Sequence, residues 1–396
     1  MKVLFVSLYS FNKLSDGYVA ADLVSRFLEE GHALTVIAPR EGMKGIAVDE
    51  SEGFRNIHVG CGPVAKTSAI KKVLNLRALD LRTKKFLRKN KEKFDLVVCM
   101  ISHCAFYRTV CFIKQRDGAF VYNMVKDIFP QNAVDMGMMK KGGLLYKWFK
   151  GKENNYYAIS DVLGVLSPRA IDVMKELNPK LTNKKIEVNP NSCIIKNEVL
   201  SKEQKAAVLK KYGIPADKTI FVYGGNLGKP QGIEFLLECI KHNEERNGSA
   251  YFVVVGDGTE YEKIADAMKD AKSSKLLKRL SPSDFEDLCS ASDVGLVLLS
   301  PSFKVPNYPS RVLSYMQARL PILFAVDSVC DAGEIAERNG YGFTCINGEL
   351  EKFFDFVLQL ESNKEKRQEM GETAHEFLAK NYTVKQSYDI ILKHFG

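Results

Sequence analysis

The opening of the chain is its strongest constraint on fold. Lys2–Ser7 is an apolar run of strand length, and a polar loop follows through Asp16-Gly17. Val19, Leu23, Phe27 and Leu28 then recur at helical spacing across Tyr18–Glu30. Gly31-His32 stops that helix, and Ala33–Ala38 is a second apolar strand. A strand, a crossover helix and a strand in so short a span imply parallel neighbours joined by a right-handed connection. Further strands read at Asp95–Met100, Phe120–Val125 and Val162–Leu166, with helical stretches between them, which makes the first half a doubly wound α/β domain.

A second series follows. Pro190-Asn191-Ser192, Lys196-Asn197 and the charged helix Lys202–Tyr212 mark the passage between halves. Strand Thr219–Tyr223 opens into Gly224-Gly225-Asn226-Leu227-Gly228-Lys229-Pro230-Gln231-Gly232 and helix Ile233–Asn243. Strand Tyr251–Val255 opens into Gly256-Asp257-Gly258-Thr259-Glu260 and helix Tyr261–Ala271. Strand Val294–Leu299, helix Val312–Ala318 and strand Ile322–Ala325 complete the series. The expected organisation is two Rossmann-like domains, 1–195 and 217–374, with a linker at 196–216. A closing helix at 375–396 is expected to pack back on the N-terminal domain.

No apolar run reaches the roughly 18–20 residues that a membrane-spanning helix needs. The N-terminus reads as a strand rather than a leader. Nine cysteines without a Cys-x-x-Cys pair suit reduced thiols better than a metal site or disulfide framework, so the expected compartment is the cytoplasm. The net charge of +9 is uneven: residues 1–189 hold 31 Lys+Arg against 19 Asp+Glu, and residues 190–396 hold 26 against 29. One half therefore faces something anionic: a phosphorylated substrate, nucleic acid or lipid headgroups.

Two glycine clusters directly after strands suit anion binding, because missing side chains let backbone N–H groups approach a phosphate at a helix N-terminus. Taken singly, either is equally a tight turn. The 224–232 turn carries one cation, Lys229, and fits neither the Walker pattern nor Gly-x-Gly-x-x-Gly, which argues against ATPase and dinucleotide-dehydrogenase readings. In Pro306-Asn307-Tyr308-Pro309-Ser310-Arg311-Val312-Leu313-Ser314, Ser310 is placed as an N-cap and Arg311 falls in the first helical turn. The helix dipole disfavours a cation there, and a bound phosphate would supply the reason for one.

As a set these segments resemble a retaining GT-B glycosyltransferase of family 4, in its capsule and O-antigen branch. The resemblance rests on the glycine loop after strand 219–223, Val253-Val254-Val255-Gly256-Asp257-Gly258-Thr259-Glu260, Ala291-Ser292-Asp293-Val294 and Pro309-Ser310-Arg311-Val312-Leu313-Ser314-Tyr315-Met316. In the first half, Gly31-His32 with Leu34–Ala38 is similar to the family's second strand. Lys126-Asp127-Ile128-Phe129-Pro130-Gln131 resembles the Arg-Asp-x-x-Pro motif of N-acetylaminosugar (L-fucosamine-type) transferases. The resemblance implies two Rossmann-like domains facing across a cleft, transfer with retention, a UDP-sugar donor, no obligatory metal and no other cofactor. It places Gly17, Gly224, Gly225, Asn226, Lys229, Asp257, Ser310, Arg311 and Ser314 on the donor side, and Asp127 on the acceptor side. His103, after a strand, is a second catalytic candidate. The family's Glu-x7-Glu falls on Pro306 and Ser314, and its glycine-loop Arg and Lys fall on Asn226 and Gln231. Only part of a carboxylate's hydrogen bonding is available to Ser314.

Simpler readings stand beside these. Asp127 is equally a loop cap, and Asp257 and Glu260 are equally helix caps. The basic amphipathic stretch Ile70–Phe94 carries ten Lys+Arg. The segment Met136–Lys152, with Lys140, Lys141, Lys147 and the single Trp148, mixes charge with apolar side chains. Both are ordinary solvated faces or, because of those apolar residues, a surface for an anionic membrane carrying an undecaprenyl-diphosphate-linked saccharide acceptor. No nucleic-acid module accompanies the charge. The expected activity is sugar transfer in bacterial capsule, O-antigen or exopolysaccharide assembly, by a protein peripheral to the inner face of the plasma membrane. A sugar-nucleotide 2-epimerase and a non-catalytic nucleotide-sugar-binding partner subunit are the alternatives.

Overall fold

A computed structural model of the chain describes residues 1–8, 14, 19–51, 53–63, 67, 69–100, 105–181 and 183–395. The chain divides into two compact units, Met1–Ser192 with Val384–Gly396, and Cys193–Thr383.

The first unit holds a sheet of β1 (Lys2–Ser7), β2 (Ala33–Glu41), β3 (Ile46–Ser51), β4 (Phe54–Cys61), β5 (Leu96–Met100), β6 (Phe120–Val125), β7 (Val162–Val165) and β8 (Lys185–Val188). Their order is β3-β4-β2-β1-β5-β6-β7-β8, and every neighbouring pair is parallel except the β3–β4 hairpin. Strands β1, β5 and β6 are buried almost throughout, because helices cover both faces of a parallel sheet and the strands become continuous apolar runs. The strand order reverses between β1 and β5, and the carboxyl ends there form the ligand crevice of such sheets. Gly17 and His103, on the loops after those two strands, lie outside the described residues.

The second unit is a six-stranded sheet of β9 (Thr219–Asn226), β10 (Ala250–Asp257), β11 (Ser274–Lys278), β12 (Val294–Leu298), β13 (Ile322–Val326) and β14 (Gly342–Ile346). It is ordered β11-β10-β9-β12-β13-β14 and is parallel throughout. Its reversal point lies between β9 and β12. Phe221, Phe252, Leu296 and Leu323 from four strands meet Phe235 and Phe353 from covering helices in one buried core.

Three boundaries differ from the sequence reading. The stretch 196–216, expected to be a linker, lies inside the second unit. There Ser201 and Gln204 cap helix Lys202–Tyr212 reciprocally, and Lys211 Nζ sits 2.5 Å from Asp284 Oδ1. The expected closing helix is two helices, Lys364–Asn381 and Val384–Leu392. The chain breaks at Tyr382-Thr383 because the Tyr382 carbonyl accepts from the Cys193 N–H at 3.0 Å rather than continuing the helical ladder. Residues from 384 onward belong to the first unit: Ser387 Oγ donates to Asn189 Oδ1 at 2.7 Å, and His32 Nε2 lies 2.8 Å from the Tyr388 hydroxyl. The basic stretch 70–94 is helical over Ala69–Lys89.

Candidate functional site: a phosphate seat in the second unit

At the carboxyl ends of β9 and β10 the register pairs Val255 with Gly224, Gly256 with Gly225 and Asp257 with Asn226. The glycines here have distinct jobs. A Cβ on Gly256 would stand 2.0 Å from the Gly225 carbonyl oxygen, and one on Gly258 would stand 2.2 Å from that of Leu227. These two glycines therefore let the neighbouring strand ends close on each other. Gly224 is buried against Phe285, and its N–H donates to the Tyr315 hydroxyl at 3.0 Å. Its N–H is thus committed within the protein. Gly225 is exposed, adopts φ +145°, and lies so that a Cβ would be 3.4 Å from the Arg311 guanidinium. A positive φ of this kind favours glycine.

Arg311 begins helix Arg311–Gln317, which follows β12 across the reversal point. Its guanidinium carbon stands 4.7 Å from the centroid of the Tyr223 ring, a cation–π contact, and its Nη1 is buried without a hydrogen-bond partner. A buried guanidinium N–H left unpaired costs free energy that an anionic ligand would recover. Burial raises the Tyr223 hydroxyl above its ordinary range, with Arg311 opposing it, and burial likewise raises Tyr315. Both tyrosines therefore remain neutral and serve as a floor and a brace for the arginine and Gly224. Neither was singled out by the sequence reading. The available signals were Tyr223 immediately before the glycine pair and Tyr315 one helical turn after Arg311.

Asn226 Nδ2 donates to Gln231 Oε1 at 3.0 Å, so the two positions where the resemblance calls for Arg and Lys are bonded to each other. Lys229 is exposed in a short 3-10 turn, and Ser314 is half-buried on the arginine's own helix. Asp257 is exposed and accepts from the Gly258 N–H at 2.8 Å. Ser310 occupies the N-cap position with helical dihedral angles and makes no side-chain capping bond, which corrects the capping expectation. A serine caps only from an extended backbone that turns its hydroxyl onto the first-turn N–H groups.

In the first unit, half-buried Asp127 follows β6 directly. Beside it, Lys126 has a buried Nζ without a hydrogen-bond partner, and burial pushes its ammonium down to about 7 against the opposing pull of Asp127. The sequence reading gave Lys126 no role of its own. Its signals were a cation at the very end of an apolar strand and its place at the first position of the Arg-Asp-x-x-Pro likeness. Lys140, Lys141 and Lys147 are exposed, as are Met138, Leu144 (90%), Leu145 and Trp148 (44%). Helices Ala69–Lys89 and Leu144–Ile159 come together at a cavity of about 110 Å³, where Val73, Leu76 and Arg77 meet Trp148, Phe149 and Lys152. The two basic segments thus form one surface. Among the described residues no helix is long and apolar enough to cross a membrane.

Residues 204–377 match the family model for glycosyl transferases group 1. This stretch, under half of the chain, is similar to that family. The matched stretch contains the glycine turns, Arg311, Tyr223 and Tyr315. Over 265 residues the chain is 25% identical to a probable glycosyltransferase, WbjE, of Pseudomonas aeruginosa; the alignment covers 66% of this chain and 64% of that protein, under two thirds of its length. Among solved structures, sucrose-phosphate synthase from Thermosynechococcus elongatus superposes with a TM-score of 0.78 at 12% identity, covering 100% of this chain and 99% of that one. Anabaena HepE in complex with UDP and glucose gives 0.73 at 12% identity, with 100% and 99% covered. These likenesses show the fold: α/β of the GT-B type, with a parallel-dominated sheet in each unit.

Proposed function

We propose that the chain is a retaining glycosyltransferase that moves a sugar from a UDP-sugar to a lipid-linked saccharide in bacterial capsule, O-antigen or exopolysaccharide assembly. The observation that carries this reading is Arg311: a guanidinium braced on Tyr223, beside Gly225, with Nη1 buried and unpaired at the reversal point of a parallel sheet. A diphosphate satisfies that nitrogen. As the glycosidic bond to the nucleotide breaks, the same guanidinium, with exposed Lys229, faces the negative charge that develops on the leaving diphosphate. That HepE has been solved in complex with UDP and glucose supports a UDP-sugar as donor.

The finer parts of the reading are an N-acetylated hexosamine or deoxyhexosamine as the sugar, retention at the anomeric carbon, independence from metal, and Asp127 acting on the acceptor. These rest on the likeness of 126–131 and 306–316 to the family pattern. The acceptor's lipid is supported by the surface of helices Ala69–Lys89 and Leu144–Ile159, where lysines and arginines surround exposed Leu144, Leu145 and Trp148. Such a surface holds the protein to the cytoplasmic face of a membrane without spanning it.

The test is a thermal-shift screen of the full chain against nucleoside diphosphates and their sugars. A ligand bound only by the native state raises stability by RT ln(1+[L]/Kd). UDP or a UDP-sugar is expected to give the largest shift, and no shift with any nucleotide would end the reading. Donor consumption that releases UDP only when an acceptor is present separates transfer from epimerisation and from binding without turnover.

A further inference from the structure

Helix Arg311–Gln317 is seven residues long, and Ser310 makes no capping bond at its start. Two helical turns are marginal by themselves, so the place of Arg311 is set by what ties down the chain on either side. Upstream, the Ser300 N–H donates to the Pro230 carbonyl at 2.9 Å, which fixes the beginning of the loop to the glycine turn. The end of that loop is held by side chains. Cys330 Sγ donates to the Asn307 carbonyl at 3.0 Å, and the buried Tyr308 and Tyr382 hydroxyls stand 2.8 Å apart. Burial raises both hydroxyls above their ordinary range, so the pair is a neutral hydrogen bond. Pro309 follows, and its carbonyl accepts from the Val312 N–H at 3.2 Å, so little slack separates Tyr308 from Arg311. Downstream, Gln317 Nε2 donates to the Lys196 carbonyl, and His375 Nε2 lies 3.3 Å from the same oxygen. Both ties lead to the ends of the second unit. Lys196 follows the point where the chain enters that unit, at Cys193, and Tyr382 precedes the point where it leaves, at Thr383. The Cys193 N–H donates to the Tyr382 carbonyl at 3.0 Å, so entry and exit are joined.

We propose that Tyr308 and Tyr382 are positioning residues for Arg311. Their hydroxyl pair fixes where the arginine's helix begins, and so how closely its guanidinium meets a diphosphate. The tolerance is small. A misplacement of about 1 Å in such a site costs up to about 100-fold in activity. The guanidinium is already packed closely, with its carbon 4.7 Å from the Tyr223 ring centroid and a Gly225 Cβ position 3.4 Å away. The inference rests on the reading of Arg311 as the phosphate seat. It adds that the seat is anchored to the chain's entry and exit by two tyrosines that belong neither to the glycine turns nor to the arginine's helix.

The test is a double-mutant cycle read by titration calorimetry of the full chain with UDP and with uridine. Tyr308→Phe keeps the ring and removes the hydroxyl. It is expected to raise the Kd for UDP about 3- to 10-fold, within the range for residues coupled in one network, and to leave uridine unchanged. Combined with Arg311→Met it is expected to add no further loss, because the tyrosine acts through the arginine. Tyr251→Phe is the matched control. It removes a buried hydroxyl that donates to the Ser274 carbonyl at 3.3 Å, near the amino end of β10. Both variants should lower the Tm by about 2–4 °C for one lost hydrogen bond, and Tyr308→Phe alone should weaken UDP binding. The proposal is overturned if Tyr308→Phe binds UDP as tightly as wild type, if uridine weakens equally, if Tyr251→Phe weakens UDP as much, or if Tyr308→Phe costs as much in the Arg311→Met background. Should Tyr308→Phe not fold, Tyr382→Phe takes its place in the same cycle. An Arg311→Met chain with unaltered UDP affinity would end the phosphate seat and this inference with it. A loss there with none in Tyr308→Phe would end this inference and leave the seat standing.

Discussion

Arg311→Met retains a flexible stem over the Tyr223 ring and removes only the guanidinium. In the unliganded chain that group makes a cation–π contact at 4.7 Å and buries Nη1 unpaired. The first is worth about 0.5–2 kcal/mol, and removing the unpaired N–H offsets part of it by about 1 kcal/mol. The net change in stability is therefore small, a Tm shift of roughly 2–4 °C at most. Ligand binding should change far more. A charge-assisted hydrogen bond to phosphate contributes about 1.5–3 kcal/mol, which converts to a rise in Kd of roughly 12- to 150-fold. Titration calorimetry of both proteins with UDP, at one ionic strength, measures that ratio. Uridine is the control, since it lacks the diphosphate and its affinity should be unchanged. An unaltered Kd for UDP, or an equal loss for uridine and UDP, would refute the phosphate seat.

Asp127→Asn is expected to reduce transfer about 100-fold or more while UDP still binds, because a group acting on the acceptor affects turnover rather than donor affinity; near-normal turnover would leave a capping role as the better account. Cosedimentation with anionic vesicles should be strong at low salt, weaken as salt screens the lysines, and weaken further in Trp148→Ala. Equal recovery with neutral and anionic vesicles would remove the membrane surface from the reading. Gly258→Ala places a Cβ 2.2 Å from the Leu227 carbonyl oxygen and should cost about 1–3 kcal/mol, seen as a lower midpoint in denaturant. Gly151→Ala is the matched control. It sits in helix Leu144–Ile159 with nothing within 4 Å of the new Cβ and should gain about 0.5–1 kcal/mol; equal effects at the two sites would contradict the packing argument.

Much of the architecture was readable from local pattern alone. Central parallel strands are buried on both faces, so β1, β5, β6, β9, β10, β12 and β13 stand out as unbroken apolar runs. The strands that escaped are β3, β4, β8, β11 and β14. Four of these are sheet edges, where partial exposure breaks the apolar run; the fifth, β4, is buried but interrupted by Arg55, Asn56 and His58. Arg311 was legible because a cation in a helix's first turn conflicts with the dipole, a conflict visible in one dimension. Its pairing with Tyr223 and Gly225 was not, since those residues lie some ninety positions away and meet only when β9 and β12 become neighbours. The same holds for Lys126. That a lysine follows Val125 is sequence; that its amine is sealed from water without a hydrogen-bond partner follows from the packing at the end of β6. Propensity and periodicity are local and so determined the element types and the fold class. Burial and hydrogen-bond partnership are properties of residues brought together from distant parts of the chain, and only the tertiary structure decided which polar groups were left free to bind a ligand.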